Sequence, residues 1–228
     1  MVPAFLFGFY NVMSGRLLFN IWMTQTFNLV TALPVAVYGV MDQDVKERTA
    51  MQFPQLYNEA KNGVYFSIAI SGWWLLLSVL HSSTAYFIAY IAYDSHVDGV
   101  MFGFAVQMLV VFMCNLQLLL HARYLTNILF GSVLLSFIFH LSVTFILSFF
   151  SIYIFEDLEY DNVFNELLGS IEMWAGVLLG CAITVVISLT AQYSRSILCP
   201  RPFHICTEIE RGHFQPSKQY PTRASLRI

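Results

Sequence analysis

The chain alternates between long apolar stretches and short polar segments. A membrane-spanning helix needs about 20 mainly apolar residues. Five stretches meet this requirement, at residues 22–41, 64–93, 99–120, 125–152 and 170–192. A sixth apolar run, at residues 2–12, is about half as long and predicts only a partial helix. We therefore predict an all-α transmembrane fold, a bundle of five full spans plus a partial first helix.

The end of the chain has a different character. Residues 194–228 are polar and contain several prolines, Pro200, Pro202, Pro216 and Pro221. Such a segment lacks the apolar surface needed to form a packed core. The predicted organisation is one transmembrane domain over residues 1–193, followed by a mostly irregular tail over residues 194–228.

Composition supports the membrane interpretation. Apolar residues make up 57% of the chain and charged residues 11%, whereas a soluble domain has about 45–50% and about 25%. A net charge of −3 gives no support for nucleic-acid binding. The spacing of Cys199, His204 and Cys206 matches no zinc module, so no metal site is predicted.

The basic residues predict the orientation of the spans. Cytoplasmic loops of membrane proteins carry an excess of Lys and Arg. Ten of the eleven basic residues fall in alternate segments that share one face, and only Arg16 falls on the other face. The ten are Lys46, Arg48, Lys61, Arg123, Arg195, Arg201, Arg211, Lys218, Arg223 and Arg227. This bias predicts a cytosolic C-terminus.

One predicted span contains a proline in its interior. Pro34 removes a helix hydrogen bond and frees a carbonyl about one turn earlier. In a membrane that carbonyl must find a partner inside the protein or meet a wet cavity. The nearby polar side chains of Thr26, Asn28 and Thr31 are candidates for this role. Two interpretations remain open: a kinked helix that lines a transport path, or a kink satisfied by packing.

Other polar residues also fall inside the apolar stretches. They are His81, Ser82, Asn115, Gln117, His140 and, at the start of the last stretch, Glu172. Polar groups within a bilayer are costly and often functional. They also serve as hydrogen-bonding contacts between helices. For Gln117 and His140 we favour the second interpretation.

The motifs around Pro34 resemble a known family. Asn28-Leu-Val-Thr31-Ala-Leu-Pro34 leads to Gly39-Val-Met-Asp42-Gln43-Asp44-Val, and then to Phe-Pro54-Gln-Leu-Tyr57. This order and spacing resemble the sixth membrane helix and the following loop of the lipid-flippase (type IV) branch of P-type ATPases. His81-Ser82 and Asn115 resemble the family's seventh and eighth helices. The resemblance extends over about residues 5–200.

This resemblance implies a function. The chain would supply helices five to ten of an ATP-driven phospholipid pump, with Asn28, Thr31 and Pro34 on the lipid groove. It implies phospholipid as the substrate, and a two-span β-subunit as a partner at the acidic outer loops. The expected location is the plasma membrane or a Golgi or endosomal membrane. No catalytic residue is expected on this chain, and ATP and Mg²⁺ are expected on further domains of a full-length parent.

The sequence departs from the family pattern at two levels. The family has seven steps from its groove asparagine to the proline, whereas Asn28 and Pro34 are six apart. One residue fewer turns a helix by about 100 degrees, so either a bulge restores the face or Phe27 takes the groove position. In addition, the sequence contains no Asp-Lys-Thr-Gly-Thr phosphorylation loop. The expectation is a fragment of a pump that is inactive alone.

Two other function classes remain as alternatives. The chain could be a standalone membrane protein that interacts with partners and has no catalytic activity. It could also be a channel or small-solute carrier, although no inverted repeat supports this class. Messenger sequencing upstream of Met1 separates the first alternative from the fragment, because an open frame encoding a phosphorylation loop would indicate the pump.

Overall fold

The computed structural model describes residues 2–43, 67–93, 99–155 and 162–198, together with residues 46, 47, 51 and 61. Within these residues the chain forms seven helices and no strand. The helices are α1 (Val2–Tyr10), α2 (Ile21–Met41), α3 (Ile68–Ala92), α4 (Gly99–His121), α5 (Asn127–Phe155), α6 (Val163–Gly169) and α7 (Ile171–Leu198). The prediction of an all-α transmembrane fold is confirmed.

Among the described residues, four helices are long and apolar enough to cross a membrane. They comprise Ile68–Ala92, Gly99–His121, Asn127–Phe150 and Ile171–Ser194. The remaining predicted span corresponds to α2, which has 21 residues and would extend about 30 Å at 1.5 Å per residue. Its length suits a bilayer, but its more polar composition keeps it out of this group of four. A crossing by α2 therefore stays a prediction.

Polar residues cap the starts of three long helices. The first turn of a helix has backbone N–H groups without intrahelical partners, and a side-chain oxygen just before it can accept from them. The Asn20 side chain accepts from Trp22 N at 3.0 Å. Thr126 Oγ1 accepts from Leu129 N at 3.4 Å, and Ser170 Oγ accepts from Met173 N at 3.3 Å. These hydrogen bonds lie at the N-termini of α2, α5 and α7.

The chain divides into two compact units. The first comprises Met1–Asp42 and Ala69–Leu189 and contains the helical packing discussed below. The second comprises Gln43–Ile68 and Thr190–Ile228, and most of its residues lie outside the described part. Helix α7 continues to Leu198, and the rest of the predicted tail over residues 194–228 lies beyond the described residues.

Helix α4 is the most enclosed of the four candidate spans. Its side chains from Phe104 to Leu109 are buried. Two glycines of α7 bring that helix close to α3 and α4: a Cβ at Gly176 would lie 3.4 Å from Ile88, and one at Gly180 would lie 3.3 Å from Met113. Small residues at such contacts let membrane helices approach closely.

The partial helix α1 packs through aromatic rings. Phe7 stacks on Phe102 of α4 with ring centroids 6.3 Å apart. The ring centroid of Tyr10 lies 5.0 Å from that of Tyr90 and 5.8 Å from that of Tyr86, and both of these tyrosines are on α3. Such ring pairs contribute about 0.5–1.5 kcal/mol beyond their buried area. They attach α1 to the bundle although it is too short to cross a membrane.

Position 103 of α4 requires a glycine because the backbone of another segment lies very close to it. A Cβ at this position would lie 2.2 Å from the carbonyl oxygen of Leu18, in the connection between α1 and α2. The contacting atom belongs to the backbone, so it cannot move aside as a flexible side chain would. Gly103 therefore determines how closely this connection packs against α4.

We predict that Gly103→Ala lowers the free energy of unfolding by about 1–3 kcal/mol, because the added methyl group overpacks the contact. Gly131→Ala is the matched control, since Gly131 lies in a helix with open space at its Cβ position. Reversible unfolding of the purified chain in mixed micelles measures both variants. Equal stability of the two would contradict this role for Gly103.

Candidate functional site

The candidate site is built around Pro34 in helix α2. The helix runs without interruption from Ile21 to Met41, and Pro34 is buried within it. A proline at this position has no N–H to donate to the carbonyl of the residue four positions earlier. That residue is Val30, which is also buried. Because a buried carbonyl without a partner costs free energy, the Val30 carbonyl needs a donor from another residue.

A serine from α5 supplies the missing hydrogen bond. Ser136 Oγ donates to the Val30 carbonyl oxygen at 2.9 Å. Asn115 of α4 in turn donates from Nδ2 to Ser136 Oγ at 3.3 Å, and also to the Val111 carbonyl of its own helix at 3.0 Å. The proline in α2 is thereby linked to both α4 and α5. We call these three residues, Val30, Ser136 and Asn115, the proline tie.

The polar residues of α2 itself do not fill this role. Thr31 Oγ1 donates to the Phe27 carbonyl at 2.9 Å, and Thr26 Oγ1 donates to the Trp22 carbonyl at 2.8 Å. Asn28 lies on an exposed position of the helix. The expectation that these residues meet the freed carbonyl is therefore wrong, because threonine hydroxyls reach more easily to carbonyls one turn back on their own helix.

Helix α2 has two different faces. Val30 and Pro34 are buried against the bundle, whereas Asn28 and the large side chains of Leu29 and Val35 are exposed. Thr31 is half-buried between these two faces. The helix is α-helical throughout, so no bulge compensates for the six-residue spacing from Asn28 to Pro34. The position seven residues before Pro34 is Phe27, which is half-buried, and Asn28 lies about 100 degrees further around the helix, on the exposed face. An amide side chain therefore stands on a face that no described residue covers.

A second polar contact holds the first half of α2. Gln107 of α4 is buried, and its Nε2 donates to the Met23 carbonyl oxygen at 3.0 Å. Met23 precedes Val30 by seven residues, so the two contacts lie about 10 Å apart along the helix. Together, Gln107 and the proline tie hold one face of α2 at two levels.

Asp42 connects the end of α2 to the turn between α4 and α5. Its Oδ1 accepts hydrogen bonds from Arg123 N and Tyr124 N, each at 3.0 Å. Its own backbone N–H donates to the Tyr38 carbonyl and closes the last turn of α2. A carboxylate that accepts two backbone N–H groups makes charge-assisted bonds, which are stronger than neutral ones. Asp42 therefore has a positioning role at this end of the bundle.

The remaining motif residues have different surroundings. Gly39 and Gln43 are exposed. His81 Nδ1 lies 2.7 Å from the Leu77 carbonyl oxygen of its own helix, and Ser82 is half-buried. Asp44, Pro54 and Tyr57 lie outside the described residues.

Gln117 forms a hydrogen bond between two helices, as we predicted. Its Oε1 accepts a hydrogen bond from Ser188 Oγ of α7, which joins α4 to α7. This arrangement fits the interpretation of Gln117 as a contact between helices.

The described residues contain no group of three or more His, Cys, Asp or Glu side chains that could hold a metal ion. Cys199, His204 and Cys206 lie outside the described part of the chain.

Sequence reasoning missed Ser136 and Gln107, which make the contacts to α2. Serine is common in membrane helices, so Ser136 gave no signal alone. A signal was present in the spacing of the polar residues of α5, which recur at every fourth position: Ser132, Ser136, His140, Thr144 and Ser148. Residues four apart are neighbours on a helix surface, and a continuous row of polar neighbours indicates a polar contact with adjacent helices.

These features define the class of the protein. Apolar helices of membrane-spanning length, held together by buried hydrogen bonds between helices, make it a multi-pass integral membrane protein. Residues 1–201 match the family described as phospholipid-translocating P-type ATPase C-terminal. The chain belongs to this family, which confirms the resemblance identified in the motifs around Pro34, and it corresponds to the C-terminal membrane part of these proteins.

Individual relatives agree with this family. A phospholipid-transporting ATPase of Schizosaccharomyces pombe is 26% identical over 219 residues, which cover 92% of this chain and 17% of the relative. The phospholipid-transporting ATPase DRS2 of Saccharomyces cerevisiae is 26% identical and covers 96% of this chain, with 17% of its own length matched. The human phospholipid-transporting ATPase VD is 30% identical over 59% of this chain and 10% of its own. The chain thus spans less than a fifth of the length of these relatives.

The proline tie predicts an energetic coupling between Ser136 and Pro34. Ser136→Ala should lower the free energy of unfolding by about 1–2 kcal/mol, because it leaves the Val30 carbonyl without its partner. In a Pro34→Ala background the same change should cost less, because the substituted alanine supplies the N–H that proline lacks. A double-mutant cycle in mixed micelles should show a coupling of about 1 kcal/mol.

Ser142→Ala is the control for this cycle. Ser142 lies on the same helix but is exposed, and its hydroxyl donates to the Ile138 carbonyl of its own helix. Its substitution should show no coupling to position 34. Equal costs of Ser136→Ala in the two backgrounds would show that Ser136 does not compensate for the proline.

Proposed function

We propose that this chain forms the membrane support and part of the lipid path of an ATP-driven phospholipid-translocating pump. The observation that carries this proposal is the division of α2 into two faces, in a chain of this family. One face is held by Ser136 and Gln107, and the other exposes Asn28. Hydrogen bonds to neighbouring helices fix one face of α2, and the other face exposes the amide of Asn28. This arrangement suits a support along which a polar head group moves.

The proposal assigns different roles to the residues of α2. Asn28 presents hydrogen-bonding groups to a lipid head group, and Thr31 lies beside it on the half-buried edge. Pro34 leaves the Val30 carbonyl to Ser136, so this part of α2 depends on neighbouring helices instead of its own backbone. A movement of those helices would therefore change the position of α2 beside the lipid path.

The energy for transport would come from elsewhere in a larger protein. The sequence contains no phosphorylation loop, and the relatives are several times longer than this chain. We place ATP and Mg²⁺ on further domains of a full-length parent, and expect this chain alone to be inactive.

Orientation, location and partners complete the proposal. The bias of ten basic residues toward one face supports a cytosolic C-terminus, with Asp42 and its contacts on the cytosolic side. The acidic loops of the other face are the proposed contact with a two-span β-subunit. The proposed location is the plasma membrane or a Golgi or endosomal membrane.

The test uses a full-length pump that carries this chain, reconstituted into liposomes with a fluorescent phospholipid. Pro34→Ala should reduce lipid transport several-fold and leave the phosphoenzyme level nearly unchanged, because the substitution changes the lipid path and not the ATP site. The control is Ser142→Ala, which changes an exposed position of α5 whose hydroxyl donates to a carbonyl of its own helix. Equal losses of transport and phosphoenzyme would contradict a specific role for Pro34 in the lipid path.

A further inference from the structure

The connection between α1 and α2 exposes three large apolar side chains. Val12, Met13 and Leu17 are 88%, 68% and 81% exposed, respectively. We call these three residues the apolar cluster. Single exposed apolar residues are common on protein surfaces, whereas several in one short segment indicate a surface that contacts lipid or another molecule.

Val12 has a backbone conformation that is unusual for valine. At the end of α1, Met13 N donates to the Gly8 carbonyl at 2.9 Å. In the same turn, Val12 N donates to the Phe9 carbonyl at 3.3 Å. This pair of hydrogen bonds is common where a helix ends in a left-handed residue, which is usually glycine. Val12 takes that position here, with a φ of 51°. Because a β-branched residue is strained in this region, the chain presents an apolar side chain where glycine would cost less.

Met13 turns back along α1. A Cβ atom at Gly8 would lie 3.6 Å from Met13 Sδ, although the two residues are five positions apart in the chain. Phe7, the neighbour of Gly8, stacks on Phe102 of α4. Because Phe102 is the fourth residue of α4, the side chain of Met13 lies close to the level of the first turn of that helix.

The second half of the connection lies beside the same turn. A Cβ atom at Gly99, the first residue of α4, would lie 3.5 Å from Cζ of Arg16. The carbonyl oxygen of Leu18 lies against Gly103, which is four residues, or about 6 Å, further along α4. Leu17 stands between Arg16 and Leu18 in the chain, so its backbone lies at the level of the first turn of α4.

This turn lies at the boundary of a membrane. Helix α4 has 23 residues, which gives a length of about 35 Å at 1.5 Å per residue. The hydrocarbon core of a bilayer is about 30 Å thick. A helix of this length that crosses the core therefore places its first turn where lipid head groups meet acyl chains.

Aromatic residues at both ends of the connection agree with this level. Tyr10 is the last residue of α1 and Trp22 is the second residue of α2, and each is 51% exposed. Tyrosine and tryptophan are enriched at the interfaces between membrane and water. Because the connection lies between these two residues, its exposed side chains reach the same layer.

We propose that the apolar cluster is immersed in lipid at the boundary between head groups and acyl chains, so that the α1–α2 connection binds the bilayer instead of projecting into water. Lipid at this boundary removes the apolar surface from water, which offsets the strain at Val12. The neighbouring Arg16 keeps its charge among the head groups, as long basic side chains do at membrane interfaces.

The contact anchors α1, which is too short to cross a membrane by itself. The proposal rests on the packing of the helices and on the membrane location of the chain, and it does not depend on lipid transport.

The test is electron paramagnetic resonance of the full chain in phosphatidylcholine liposomes. A nitroxide label is attached to a single cysteine at position 12 or 17, after the four native cysteines have been replaced by alanine. Molecular oxygen concentrates among acyl chains, whereas a water-soluble nickel complex stays outside them. Labels in Val12→Cys and in Leu17→Cys should therefore be reached several-fold more readily by oxygen than by the nickel complex.

Ser14→Cys is the matched control. Ser14 is an exposed polar residue of the same connection, and its hydroxyl accepts from Arg16 N at 3.4 Å. The nickel complex should reach a label there more readily than the labels at positions 12 and 17. Greater access of the nickel complex than of oxygen at positions 12 and 17 would overturn the proposal, because the apolar cluster would then face water. Access of neither reagent would also overturn it, because protein would then cover the apolar cluster.

A second measurement uses the chain with its native cysteines. In solid-state NMR of the chain in the same liposomes, the methyl group of Met13 should receive magnetisation from lipid acyl chains. The Met13 signal is identified by its loss in Met13→Leu. The absence of transfer from the acyl chains to Met13 would contradict the lipid contact, whatever the behaviour of the labelled variants.

Discussion

The carbonyl of Val30 is the group on which the arrangement of helix α2 depends. Proline at position 34 removes the N–H that would pair with it, and Val30 is buried, so water does not replace that partner. Ser136 provides the replacement, and Asn115 orients the serine hydroxyl by donating to it. The hydrogen bond that proline removes is thus replaced by hydrogen bonds that join three helices. These bonds to α4 and α5 fix the position of α2.

The other contacts of α2 extend this arrangement along the helix. Gln107 reaches the Met23 carbonyl in the first half of the helix, and Asp42 binds the turn between α4 and α5 at its end. All of these contacts involve the same two neighbours, α4 and α5. The face with Asn28 takes part in none of them, which leaves it available for the lipid path that we propose.

Apolar length and polar boundaries made the helices predictable from the sequence. The stretch at residues 99–120, for example, corresponds to helix Gly99–His121, because a continuous apolar run in lipid can satisfy its backbone only within a helix. The sequence also indicated that Pro34 frees a carbonyl. It did not indicate Ser136 as the partner, because that residue lies 106 positions away and the helix packing decides which serine comes close. The exposure of Asn28 likewise depends on which face of α2 the neighbours cover.

The most direct measurement of the proline tie is the infrared amide frequency of an isotope-labelled Val30 carbonyl, introduced at that single position in the full chain in bilayers. Hydrogen bonding lowers the frequency of a carbonyl. Replacing Ser136 with alanine should therefore raise the Val30 frequency, whereas replacing the exposed Ser142 should leave it unchanged. A Val30 frequency that does not respond to the loss of the Ser136 hydroxyl would contradict the account.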